Sequence, residues 1–387
     1  MSIRRALPLA LFLLVPAPAA VADGCPAPCS GQSSSPPNAK LLYVQRDGPG
    51  GQVVAYETSG GRIAFGLPPG ASSADGRWHV TAASRNQATL LTRFRLTDGA
   101  AVGSWSVPGR SQIAGLSPTG RWAVLTGERA SPTRITIVDL GTRRIVRKTV
   151  LRGRFEVETV SADGKRLFLI EHLDTTRYLV RLLDLTTNRL KTQALKASGD
   201  GAPMVGQAWS GVASPDGRWL LTLYLNTHHN HAFIHALDLN RSAPSCIDLP
   251  SGAGRLGALR RYTLTLSPDG TKLYAANPAL GVVTAIDLET RRVVRTGRFR
   301  PSNAGGPTRQ LLAGTISRNG RTLYFTAGRD LWAYDTAYGK VRGPYPTTGR
   351  LVGFGYGARD RTIHALRVDG RMLTFDAASG RRITSTG

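Results

Sequence analysis

The sequence predicts an all-β fold of radial repeats, a β-propeller, and three observations carry that prediction. The stretch Ser267-Pro268-Asp269-Gly270-Thr271-Lys272-Leu273-Tyr274 returns in degenerate form from Ser73, Ser117, Ser161, Ser214 and Ser317. The glycines of the six copies fall at 76, 120, 164, 217, 270 and 320, spaced 44 to 53 residues apart. Self-similarity at such a period is the mark of stacked or radial repeats. A short apolar segment closing on aspartate follows each copy from the third unit on, at 136–139, 180–184, 234–238, 284–287 and 331–335, and again at 373–376. No amphipathic helix of useful length interrupts the pattern.

Taken in order, residues 23–37 are rich in Pro, Ser and Gly and read as a flexible lead-in. Segments 40–44, 53–56 and 62–65 then have the β-branched and aromatic content of strands bounded by turn residues. The same three-strand pattern recurs, with 92–106 as a weaker copy that turns at Thr97-Asp98. Eight such units are countable, and seven are preceded by one more apolar strand. Four antiparallel strands per unit, repeated radially, solve the problem of unpaired sheet edges. The expectation is one domain over 38–387 with eight four-stranded blades, the innermost strand of the first being poorly defined. Seven blades is the alternative.

The Ser-Pro-Asp-Gly-x-x-Leu-Tyr strand, the following Val-x-x-Ile-Asp strand and the Thr-x-Arg-x-Val strand resemble the YVTN/WD40-like propellers of exported bacterial proteins. The regular Gly-His and Trp-Asp pairs of WD40 repeats are absent. The resemblance implies the fold and leaves activity open, because propellers host many unrelated functions.

The first 22 residues have the makings of a secretory signal: Arg4-Arg5, an apolar centre over 6–15, and Ala20-Val21-Ala22 as a cleavage site. Export is therefore expected, with no transmembrane helix left after cleavage. Ala22-Asp23-Gly24-Cys25 partly matches a lipobox, so a lipid anchor on Cys25 is a minority alternative. Three cysteines leave one unpaired in any disulfide scheme; Cys29 with Cys246 is one pairing and Cys25 with Cys29 another.

Fifty Lys and Arg against 25 Asp and Glu give a formal charge of +25, which favours anionic partners. A protein, an anionic glycan or a cell-wall polymer fits. Nucleic acid does not, since no stacking aromatics interleave the basic turns and no reading helix exists. The periodic aspartates read as turn caps rather than paired catalytic carboxylates. Both families of turn should share one face. That face then gathers a basic ring, including Arg77, Arg121 and Arg218 from one family and Arg143, Arg291 and Arg292 from the other.

The extra length of the later repeats falls in connections 197–206, 251–261 and 298–309, expected on the opposite face. Long loops on a rigid scaffold are where function concentrates. A rim over units four to six is predicted, with Asn226, Asp200, Met204, Trp209 and Arg300 as candidate contacts. His228, His229 and His231 at the tip of the fifth unit are candidate ligands for zinc or copper, since neutral imidazoles suit both metals. No nucleophile elbow or P-loop lysine occurs. The sequence thus favours a monomeric, non-catalytic binding scaffold. A propeller hydrolase or lyase of the lactonase type, with or without a metal, is the alternative.

Overall fold

The computed structural model describes residues 40–45, 51–128, 131–175, 177–195, 203–226, 229–251, 256–302, 313–326 and 329–383. They form eight antiparallel sheets in a ring, so eight blades replace the seven-blade alternative. Blade 1 holds β1 (Leu41–Gln45), β2 (Val53–Glu57) and β3 (Ile63–Leu67). Blade 2 holds β4 (Ala71–Ser72), β5 (Trp78–Arg85), β6 (Ala88–Arg95) and β7 (Ala101–Pro108). Blade 3 is β8 (Ser111–Leu116), β9 (Trp122–Gly127), β10 (Thr133–Asp139) and β11 (Arg144–Leu151). Blade 4 is β12 (Phe155–Val160), β13 (Arg166–His172), β14 (Arg177–Asp184) and β15 (Arg189–Leu190), with β16 (Met204–Val205) added beside β14.

Blade 5 is β17 (Gln207–Ala213), β18 (Trp219–Asn226), β19 (His231–Asp238) and β20 (Ala243–Asp248). A single turn of helix, α1 (Leu256–Leu259), precedes blade 6, which is β21 (Thr263–Leu266), β22 (Lys272–Asn277), β23 (Val282–Asp287) and β24 (Arg292–Arg298). Blade 7 is β25 (Ala313–Ile316), β26 (Thr322–Thr326), β27 (Asp330–Asp335) and β28 (Lys340–Pro346). Blade 8 is β29 (Leu351–Tyr356), β30 (Thr362–Arg367), β31 (Met372–Asp376) and β32 (Arg382–Ile383). The signal segment, the lead-in, Cys25 and Cys29 lie outside the described residues.

Blade 1 lacks an inner strand among the described residues. The Thr58 amide donates to the Lys40 carbonyl as Leu96 does to Arg77 and Leu140 to Arg121, which places β1 in the second-strand position. The ring closes by packing: Leu366 and Met372 of blade 8 meet Leu42, Val54 and Tyr56 of blade 1. Apolar side chains fill the seams between blades, as the alternation of strand residues requires when both faces of every sheet are covered.

The recurring Ser-Asp-Gly turn joins the first two strands of a blade. In blade 6 the Ser267 hydroxyl donates to Asp269 at 2.5 Å and accepts the Lys272 amide at 2.9 Å. Asp269 accepts the Thr271 amide at 3.0 Å, and the Gly270 amide donates to the Ser267 carbonyl at 2.9 Å. The glycine takes φ +69°, a left-handed conformation that a β-carbon disfavours. These turns also lock neighbouring blades together. The Asp75 amide donates to the Pro118 carbonyl at 3.1 Å, and the Trp122 indole to the Ala162 carbonyl at 3.2 Å. A β-carbon on Gly164 would stand 2.3 Å from the Trp122 ring, whereas one on Gly270 would meet nothing within 4 Å.

That contrast makes a prediction. Gly270→Ala should cost about 1–2 kcal/mol for the left-handed backbone alone. Gly164→Ala should cost more, since it adds overpacking of about 1–3 kcal/mol to the same strain. Urea denaturation of the two variants checks this, and equal losses would mean that Trp122 moves aside freely.

Candidate functional site

The topology sorts the loops onto two faces. On one lie the Ser-Asp-Gly turns and the turns between third and fourth strands. They are tied together by Arg121 to Asp139 at 3.2 Å and Arg218 to Asp238 at 3.3 Å. On the other lie the turns between second and third strands and the connections between blades. Here the His231 ring meets Asp248 at 3.1 Å, and the Ser302 amide donates to the Pro278 carbonyl at 2.9 Å.

The predicted rim residues are divided on this second face. Asp200 and His228 lie outside the described residues. Asn226 closes β18 and its side-chain oxygen accepts the His229 amide at 3.3 Å, so it caps the histidine turn. His229 is exposed, and the His231 ring stacks on Phe233 beside Asp248. Among the described residues no three His, Cys, Asp or Glu side chains come together as a metal group. Met204 lies on β16 opposite Tyr178 and packs into the seam between blades 4 and 5. Trp209 packs instead toward blade 6, with its indole donating to the Arg260 carbonyl at 3.0 Å and the Arg260 guanidinium over its ring. Arg300 is exposed in the connection after β24. Met204 and Trp209 therefore serve different seams. Cys246 is an exposed residue of β20, opposite His235.

The seam under Met204 is unlike the others. Seven seams each carry one continuous apolar cluster, while the seam of blades 4 and 5 carries two. Phe168, Leu220 and Leu237 belong to one, and Ile170, Tyr224 and Phe233 to the other. Thr222 and His235, paired across β18 and β19, separate them. Glu158 joins this polar layer from a bulge in β12, where it accepts the Thr222 hydroxyl at 3.3 Å. Among the described residues Glu158 and Glu156 are the only charged side chains on the inner strands β4, β8, β12, β17, β21, β25 and β29.

The layer is buried and polar. Burial, reinforced by the Glu156 carboxylate, pushes the Glu158 carboxyl up to about 8, so it carries a proton at neutral pH. Burial drives His235 down to about 4, which keeps the imidazole neutral. His235 is 1% exposed and neither ring nitrogen has a hydrogen-bond partner. His79, equally buried, has both nitrogens engaged, by Ser72 at 2.9 Å and the Pro68 carbonyl at 2.8 Å. Tyr178 and Tyr224 stack beside the layer with ring centroids 5.2 Å apart, and Tyr224 meets His235 edge-on. Glu156, nearer solvent, pairs with His172 at 3.1 Å. The sequence reading missed Glu158, Tyr178 and Tyr224. A Glu-x-Glu pair on the one inner strand with charges was the available signal.

The basic face is built as expected, and its acids are consumed within it. Eleven aspartates occupy the two turn families, and each accepts a backbone amide. The Thr186 hydroxyl, with the Thr187 and Thr186 amides, holds Asp184 down at about 2. Arg121 and Arg218 are pinned by their aspartates, and Arg143 lies over the Trp105 ring. Arg144, Arg291 and Arg292 are exposed at the edge of the same face.

No protein-family model and no curated protein matches the chain. Among solved structures it is similar to hydrazine synthase of Kuenenia stuttgartiensis, at 11% identity and a TM-score of 0.44, over 80% of this chain and 94% of that one. It is also similar to the Cps50 (Swd1) β-propeller domain of Myceliophteria thermophila, at 12% identity and a TM-score of 0.42, over 79% and 95% of the two chains. Likeness at this level carries no argument about activity. Among the described residues no helix is long and apolar enough to cross a membrane.

The polar layer has a pH signature. Between about 4.5 and about 8 the folded chain keeps the Glu158 proton that the unfolded chain has released, so stability falls as pH rises through that window. His235 acts at the other end: the unfolded imidazole binds a proton below about 6.5 while the folded one does not until about 4, so stability is lost as pH falls. The urea midpoint should therefore decline from pH 6.5 toward 8. Glu158→Gln should flatten that decline; an undiminished slope in the variant would assign it to other groups.

Proposed function

We propose that this chain is an exported, non-catalytic propeller scaffold that binds an anionic partner on its basic face and the adjoining rim. One observation carries the reading, the segregation of charge. The outermost strands β3, β7, β11, β15, β20, β24, β28 and β32 bear ten Lys and Arg and a single acid, Asp248. Over the described residues the inner strands β4, β8, β12, β17, β21, β25 and β29 bear no Lys or Arg. The turn aspartates are spent on backbone amides, which leaves the outward field positive. Such a field steers and holds anions and is weakened by salt. The secretory features of residues 1–22 support a partner outside the cytoplasm, where acidic proteins and anionic wall polymers are available.

Titration of the mature chain with polyglutamate and with a polyglycerol phosphate tests this. Binding is expected at low salt and should weaken by about tenfold or more as salt is raised toward physiological strength. The joint replacement of Arg144, Arg291 and Arg292 by Glu should weaken it further without lowering the melting temperature. Absence of binding to either polymer at low salt overturns the proposal.

A further inference from the structure

Over the described residues most of the eight outermost strands are short or carry proline, while β11 and β24 are long and carry none. Strand β15 has two residues and β3 has five, and β32 has two among the described residues. Proline interrupts or ends β7 (Pro108), β20 (Pro244) and β28 (Pro344, Pro346), and β24 contains the buried Gly297. Proline and brevity are the ordinary means of blunting a sheet edge against unwanted pairing. Strand β11 runs eight residues, Arg-Ile-Val-Arg-Lys-Thr-Val-Leu, with neither glycine nor proline and with a one-residue bulge at Val146 against β10. It is the terminal strand of its sheet, paired with β10 alone.

Its surface combines charge with apolar exposure. Arg144 and Lys148 are exposed and Arg147 half-buried, with no acid on the strand. Val146 is 44% exposed and Val150 55%. Arg134 on the neighbouring β10 stands exposed opposite Val150. Cations alone would suffice to keep two copies apart. Exposed valines add nothing to that defence, but they offer contact area to an incoming strand.

From this geometry we infer that β11 is a docking edge for an extended acidic peptide segment of a partner protein, which adds to blade 3 as a fifth strand. Main-chain hydrogen bonds to the free edge supply affinity, and alternate side chains supply selection. A fitting segment alternates Asp or Glu, on the face of Arg144 and Arg147, with aliphatic or threonine residues on the face of Val146, Lys148 and Val150. A second copy of this chain is excluded as occupant by like charge, since each copy carries +25 overall. The inference deepens the anionic-partner reading and rests on it.

The test uses the mature chain and a capped synthetic peptide of alternating Glu and Thr. A control peptide of equal charge has proline at every threonine position, and polyglycerol phosphate serves as the non-peptide anion. Affinity is followed together with hydrogen exchange of the segment spanning 144–151. The expected result is slowed exchange confined to that segment, with binding about tenfold tighter than that of the proline peptide. Replacing Arg147 and Lys148 by Glu should abolish both effects while the melting temperature holds. Equal binding of both peptides with no protection at β11 overturns the docking edge but leaves the anionic-partner reading standing. Failure of both peptides and of polyglycerol phosphate to bind at low salt overturns the two together.

Discussion

The structure depends on one small turn. A serine hydroxyl, an aspartate carboxylate and a left-handed glycine close the step from first to second strand in blades 2, 4, 5 and 6, and the same turn recurs with Thr119 in place of the aspartate in blade 3 and Asn319 in blade 7. Each trio satisfies backbone groups that would otherwise be left open at a tight corner. The turns also touch across blade boundaries, where the glycine leaves room for a neighbour's side chain: Trp78 against Gly120, and Trp122 against Gly164. Local geometry and blade spacing are thus set by the same atoms. A repeat cannot change its turn without shifting its neighbour.

Once the spacing is fixed, each seam must be filled. Among the described residues seven each carry a single apolar cluster, and the eighth is split by Glu158, Thr222 and His235. A buried carboxyl and an imidazole with no partner are costly in a dry interior unless they stay uncharged. The directions of both pKa shifts describe that outcome: Glu158 holds its proton and His235 declines one. The layer borders the cluster on which Met204 of β16, the strand in the connection between blades 4 and 5, packs.

Charge follows the radial plan as well. Acids are drawn inward to turns where amides await them, and the ionisable side chains left on the outermost strands are almost all cations. On most blades brevity, proline or glycine already weakens the edge, and charge supplements that defence. On blade 3 the edge is a full-length strand with neither glycine nor proline, carrying cations, exposed valines and one bulge at Val146, which is why that edge can be read as a place of attachment.

The residues by themselves determined the propeller and a count of eight units, because the Ser-Asp-Gly copies and the aspartate-terminated strands are local signals with local causes; the choice of eight blades over seven came from the structure. They also determined that the two turn families share a face and that the periodic aspartates are caps, since antiparallel alternation leaves no other placement. The weak inner position of the first blade was legible for the same reason. The partners of Glu158 were not, because Thr222 is 64 residues away and joins it only across a seam. Nor could the sequence separate Met204 from Trp209, which share a stretch of chain but pack into opposite seams. A bulge in β17 between Ala208 and Ser210 intervenes, and register of that kind is decided by what the neighbouring blade presents. Periodicity encodes the blade; the contents of each seam belong to two blades at once, and only their packing decides them.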